Sequence, residues 1–425
     1  MLQSPPNENA GRLTAGQEWR LNWSLVLSAM AGLSFGAIPS STLGLFMDPL
    51  NQEFGWSRAE ISLGMTIFAL ISLPLTPFAG ALVDRFGARR VAVPGIALTG
   101  LTFAGFSLMG ELLVYWFSGW VVYTLASLLI RTLVWNTAVS TAFVASRGLA
   151  LAILLAGMGM TQAIAPPLTN WLIGSFGWRT AYAAIGLGWG GIAFLLVLFL
   201  FHVRRSAPLA SATGTGPTYV PGGLTFAQAM RNSRILRITA AMGIQSMLGA
   251  ALVVHIVPLL TSEGLTRGEA SGVAAVLGIA SVAGKLMTGW LSDRVRSTFL
   301  PVSAFALPGL GYFLLLEASG SLTASTVAAL LLGYGSGSAL HMTTYLTTQY
   351  AGIRHFGKIF GVVSSTMALA GGIGPFAAGL LFDVTGAYTW FMIAAIPLAL
   401  LAGLAVFRLG AYVEFPPEPV DRAAA

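Results

Sequence analysis

Twelve predominantly apolar stretches constrain this chain more than any other feature. They fall at about residues 22–47, 58–83, 91–110, 113–142, 148–173, 179–202, 234–262, 269–292, 299–317, 322–350, 357–383 and 387–410, each about the length that crosses a bilayer core as a helix. Only 9% of the residues are charged and the mean hydropathy is +0.78, whereas an ordinary soluble domain carries about a quarter of its residues charged. The predicted fold class is an all-α membrane protein, because a helix satisfies its backbone hydrogen bonds internally within lipid.

The two halves repeat at a constant offset of 209 residues. GWSRAEIS from Gly55 matches GLTRGEAS from Gly264, pairing Arg58 with Arg267 and Glu60 with Glu269. SLPLTPFAGALVDR from Ser72 matches SVAGKLMTGWLSDR from Ser281, and Pro166 and Gly177 match Pro375 and Gly386. Such a repeat predicts two pseudo-symmetric six-helix bundles, 22–202 and 234–410, related by an axis along the membrane normal with a site between them near the midplane. A polar, Gly- and Pro-rich linker, 203–233, joins them and carries a short surface helix near Leu224 to Arg231. Residues 1–21 and 411–425 are read as tails, the latter disordered.

The formal charge of +7 does not point to nucleic acid, because the basic residues follow the threading. Of the 22 Lys and Arg, only Arg58, Arg179 and Arg267 fall on the far side, and Arg131 and Lys285 lie inside spans; the rest share the side of the termini. Both ends are therefore expected in the cytoplasm, with the first span an uncleaved signal-anchor in the inner membrane of a bacterium. The chain has no cysteine, which removes disulfides and thiol chemistry. Glycine runs such as AGMGM and AGGIGP lack the Lys-Ser/Thr pair of a phosphate loop, and no triad or metal spacing is present. Neither an enzyme nor a cofactor is expected.

Two cations sit where lipid should be. Lys285 lies eight residues before Asp293, about 12 Å into the core, and Arg131 lies 16 before Arg147, about 24 Å from that end of its helix. Charges at such depth are costly and face a cavity or a partner. Ser281, Lys285, Thr288 and Ser292 share one helix face, as do Thr124, Arg131 and Trp135, which would let the indole stack on the guanidinium. No Asp or Glu lies well inside any span, so a cavity shared by the two cations would attract an anion. His255, on a stripe with Gln245, Leu248 and Leu252, and His341, near Tyr334 and Tyr345, are the deep groups that titrate near neutral pH. Asn136 and Gln162 could supply neutral donors.

GALVDRFGARR, from Gly80 to Arg90, resembles the signature between the second and third spans of the major facilitator superfamily, with a degraded echo from Gly289 through Asp293 and Arg294. The resemblance implies a gating motif of Gly80, Asp84, Arg85, Gly87, Arg89 and Arg90 that latches one access state. FGWSRAEIS, HIVPLLTSEGLT, SRGLALAI and FGWRTAY look like the monocarboxylate porter and oxalate/formate antiporter branch, which carries small carboxylates with protons or in exchange and places a basic residue near Lys285. The oxalate-type lysine of the eleventh span is not matched in depth, since Lys358 stands at the start of that span. The expected function is secondary transport of small organic anions by proton symport or anion exchange. Arg131, Lys285, His255, His341, Asn136, Gln162, Trp135 and Tyr345 would form the site, in a monomer. An exporter of hydrophobic or aromatic compounds and a non-transporting anion sensor are the alternatives.

Overall fold

The computed structural model describes residues 14–143, 145–202, 219–220, 222–292, 294, 297–413, 415 and 418–419. The first span is α1 (Ala15–Gly36) and α2 (Ile38–Phe54), and the second is α3 (Arg58–Phe86). The third is α4 (Ala88–Gly105), closed by a 3-10 turn, and the fourth is α5 (Leu113–Ser127) and α6 (Thr132–Ala142). The fifth and sixth are α7 (Arg147–Ala184) and α8 (Gly190–Leu200). The short α9 (Phe226–Arg231) precedes α10 (Ser233–Ser262), α11 (Arg267–Ser292), α12 (Phe299–Glu317), α13 (Leu322–Ala351), α14 (Phe356–Thr385) and α15 (Thr389–Val406).

Among the described residues, ten helical stretches are long and apolar enough to cross a membrane. One of them, Arg147–Leu200, holds two spans, because Gly177 (φ 80, ψ 164) turns the chain inside it. α13 is not among the ten; its Gly, Ser, Thr, Tyr and His residues lower its hydropathy, and with it the spans number twelve.

The repeat is visible in how helices begin. Ser57 and Glu60 form a reciprocal capping box at the start of α3, and one repeat on Thr266 and Glu269 form the same box at the start of α11. α1 starts at Ala15, ahead of the expected 22, because Thr14 and Gln17 make a further box and Glu18 is buried. The Glu18 carboxylate accepts from the amides of Ala145 and Ser146 at 2.9 and 3.0 Å, neutralising the start of α7 from within its own bundle.

Part of the linker is built into the second bundle, with the Leu224 amide donating to Ala351 O and the Ile353 amide to Gly222 O. Tyr219–Val220 pairs with Glu418–Pro419, and Tyr412 packs on Tyr345 and Tyr350, so these parts of the expected linker and disordered tail are ordered. Residues 1–13, 203–218, 221, 414, 416–417 and 420–425, on which the rest of the tail and linker expectations falls, lie outside the described residues.

The bundles meet along α2–α10, α3–α14 and α7–α11. Glycines allow the approach, as is usual where lipid offers helices no hydrophobic drive to associate. A Cβ on Gly44 would stand 1.9 Å from Val254 O, one on Gly278 would stand 2.7 Å from the backbone of Gln162, and one on Gly372 would stand 2.2 Å from the Ala69 Cβ. Among the described residues, every hydrogen bond and ion pair that joins the bundles directly lies towards the end away from the termini. At the other end Gly148, Gly357 and Gly361 face open space. Among the described residues the bundles are bonded at the far end and unbonded towards the termini, the arrangement of a cleft on that side.

Within the second bundle, a Cβ on Gly337 would stand 1.8 Å from Ser281 O. Gly337→Ala should therefore cost about 1–3 kcal/mol as overpacking and lower the melting temperature of the purified protein. Gly361→Ala, in open space, should leave it unchanged or raise it.

Candidate functional site

Arg131 sits at a break in the fourth span. Its backbone is extended (φ −62, ψ 155) between a 3-10 turn at Leu128–Ile130 and α6, so the periodicity that would place Arg131 and Trp135 on one face is interrupted. The indole N–H of Trp135 instead donates to Ile130 O at 2.8 Å, satisfying a carbonyl at the break. Its ring is fully buried against Gly32 and edge-on to Phe201. The expected indole stack is thus absent, and the ring under the guanidinium is Phe68 of α3, at 5.0 Å. Asn136 follows with a buried Oδ1 that has no partner among the described residues.

Phe68 lies beside the residues that close the bundles, since Thr66 donates to Gly372 O at 2.7 Å and Ala69 faces Gly372. On α11 the face that touches α7 runs from Gly278, against Gln162, to Val282, against Gly159, and then to Lys285. Arg131 and Lys285 therefore both lie next to the last contacts between bundles, at the apex of the cleft. Both are half-buried, and among the described residues neither has a carboxylate partner. Gln162 lies just beyond them, lining with Ser41, Val253 and Ala274 a space of about 10 Å³, no more than a single water needs, and its buried Oε1 has no partner among the described residues.

His255 is fully buried in the closed end. Its Nε2 is 2.8 Å from Pro375 O and 3.2 Å from the Ser62 hydroxyl, and its Nδ1 is 2.7 Å from the Tyr388 hydroxyl. A carbonyl only accepts, so Nε2 carries a hydrogen, and in the neutral ring Nδ1 accepts from Tyr388. The ring thus ties α10 to α3, α14 and α15. Beyond it lies a charged cluster. The Asp383 carboxylate of α14 accepts from the backbone amides of Arg58 and Ala59 at 3.1 and 2.8 Å, capping α3 from the opposite bundle. Arg58 lies 3.6 Å above the Phe382 ring, and Arg58 and its repeat partner Arg267 both reach Asp48 at 3.5 Å.

The other expected residues are elsewhere. His341 is 3.1 Å from Ser292 Oγ, a tie between α13 and α11 inside one bundle, and Tyr345 packs on Tyr412 towards the termini. In the gating motif Asp84 is exposed, with no ion pair among the described residues. Arg85 lies over Phe86, Arg89 donates to Leu198 O, and Gly87 turns the chain at φ 82. Gly80 would bring a Cβ to 3.2 Å from Leu133 of its own bundle, and Gly289 faces His341. Arg294 caps Trp290 O, while Asp293 lies outside the described residues. Reading by depth within spans missed Asp48, Arg58, Asp383 and Tyr388; the duplicated arginine at the 209-residue offset was the signal for the cluster.

The family model of the Major Facilitator Superfamily matches residues 25–346 and 239–424, and the chain belongs to that superfamily. It is 27% identical over 384 residues to monocarboxylate transporter 13 of Bos taurus, covering 86% of this chain and 84% of that protein. It is 27% identical over 397 residues to monocarboxylate transporter 11 of Homo sapiens, covering 86% and 79%. Among solved structures, a bacterial homologue of the human lysosomal transporter Spinster, in an inward-facing and occupied conformation, superposes with a TM-score of 0.68 at 17% identity, over 90% of this chain and 95% of that one. The protein is a membrane-embedded transporter of the major facilitator fold.

Asp383→Asn should weaken the inter-bundle cap and raise access from the face away from the termini. With no native cysteine, a single Ser41→Cys reporter, buried here, should be labelled several-fold faster by an impermeant maleimide in the Asp383→Asn background. An unchanged rate would mean that this carboxylate does not hold the gate.

Proposed function

We propose that the protein carries small organic anions, monocarboxylates first among them, by alternating access with proton symport or anion exchange. The observation that carries the reading is the pair Arg131 and Lys285 beside the cleft apex with no carboxylate partner among the described residues. Lysine offers a point charge and arginine a flat fork, so the guanidinium would orient a carboxylate and the ammonium would balance it. Asn136 and Gln162, whose buried oxygens lack partners among the described residues, would complete the site as neutral groups. The names of two relatives support the substrate class.

His255 is the favoured coupling group. Protonation would turn Nδ1 from acceptor to donor and force the Tyr388 hydroxyl to rotate, loosening the far gate. His341, at the tie between α11 and α13, is the second coupling candidate, and Tyr345 would be a substrate contact. Basic residues gathered on the side of the termini support a cytoplasmic location for both ends, an inner-membrane setting in a bacterium, and a cytoplasm-facing cleft. The protein would work as a monomer.

In proteoliposomes, Arg131→Gln and Lys285→Gln should each reduce monocarboxylate uptake at least tenfold, with Lys285→Arg retaining a substantial part. Full uptake by either folded Gln variant would move the assignment to an exporter of aromatic compounds. His255→Gln should abolish acidification-driven uptake while sparing exchange; equal loss of both would make His255 structural.

A further inference from the structure

A second cavity lies on the first bundle at its termini end. It encloses about 660 Å³ between the α3–α4 turn and the end of α8, and its polar lining is Arg89, Arg90 and His202. Its apolar lining comes from Phe86, Val93, Pro94 and Leu198, and Phe86 and Phe199 alongside are largely exposed, as on a lipid-facing surface. Arg89 is fixed across the cavity by one donation from Nη2 to Leu198 O at 2.8 Å, leaving the rest of its fork free. Arg90 is exposed, no acid lines the cavity, and neither arginine is ion-paired among the described residues.

The repeat supplies an internal comparison. The corresponding place in the second bundle, between the start of α12 and the end of α15, holds about 170 Å³ and is lined in part by Tyr350 and Tyr412. There Thr298 stands one repeat on from Arg89 and Phe299 from Arg90. The space is small and lined by no charged side chain in one half, and roomy and basic in the other. Arg237 donates to Phe407 O, one repeat on from Leu198, so the carbonyl bond of Arg89 has a counterpart there, whereas Arg90 has Phe299 in its place.

We propose that the cavity of the first bundle binds the headgroup of an anionic phospholipid. The phosphate would sit between Arg89 and Arg90, His202 would donate to the glycerol or headgroup oxygens, and the acyl chains would leave over Leu198 and Phe199. Basic pockets at the membrane surface recognise phospholipids through this pairing of charge and apolar wall.

Native mass spectrometry of the full chain, with phosphatidylglycerol or phosphatidylcholine added at equal concentration, tests the assignment. One phosphatidylglycerol should be retained in preference to phosphatidylcholine, and Arg90→Gln, at a side chain with no hydrogen bond or ion pair among the described residues, should weaken retention about fivefold. The Arg89→Gln/Arg90→Gln pair should remove the preference. Equal retention of the two lipids, unchanged retention by both variants, or full displacement by soluble glycerol phosphate at matched concentration would overturn it. The last result would assign the site to free phosphate esters.

Discussion

Charged groups of both bundles meet at the end away from the termini, and a carboxylate that caps a helix of the opposite bundle anchors them. Asp383 at the end of α14 accepts from the first amides of α3, where the unsatisfied N–H groups and the helix dipole concentrate positive charge. With Arg58 held between Phe382 and Asp48, and Arg267 on the same Asp48, the far end is tied by backbone, charge and ring contacts together. The cleft on the other side is the geometric consequence.

The same pair of helices carries a second carboxylate at its other end. Asp84 lies near the end of α3 as Asp383 lies near the end of α14, and Asp84 is exposed with no ion pair among the described residues. The second pair, α7 with α11, lacks this symmetry. The Glu18 carboxylate takes the amides of Ala145 and Ser146, just ahead of α7, from within the first bundle, and among the described residues no carboxylate of the second bundle caps α7.

The two buried cations belong to the same design. An ionised group in the hydrocarbon core is tolerated where water or an opposite charge can reach it, and the cleft provides access without supplying an acid. Placed beside the apex, Arg131 and Lys285 adjoin the contacts that must break for the far end to open. A bound anion would therefore act on the gate through the α3–α14 and α7–α11 contacts and need no separate relay.

The sequence by itself determined the helices, their number and the family, because bilayer thickness and backbone hydrogen bonding leave a long apolar segment little choice. It also determined the repeat, down to capping boxes at Ser57 and Thr266 that recur at one offset. Tertiary structure decided what those helices do to one another. The stack of Trp135 on Arg131 failed because the fourth span breaks at Arg131, and a periodicity argument holds only while the helix is unbroken. His255 was legible as a deep titratable group, yet its place in the gate follows from Ser62, Pro375 and Tyr388, which are distant in sequence. Asp383 at a helix end reads as an ordinary boundary residue until another bundle brings α3 against it. Local patterning fixes where a chain is helical, whereas the partner of a polar group is set by packing between segments hundreds of residues apart.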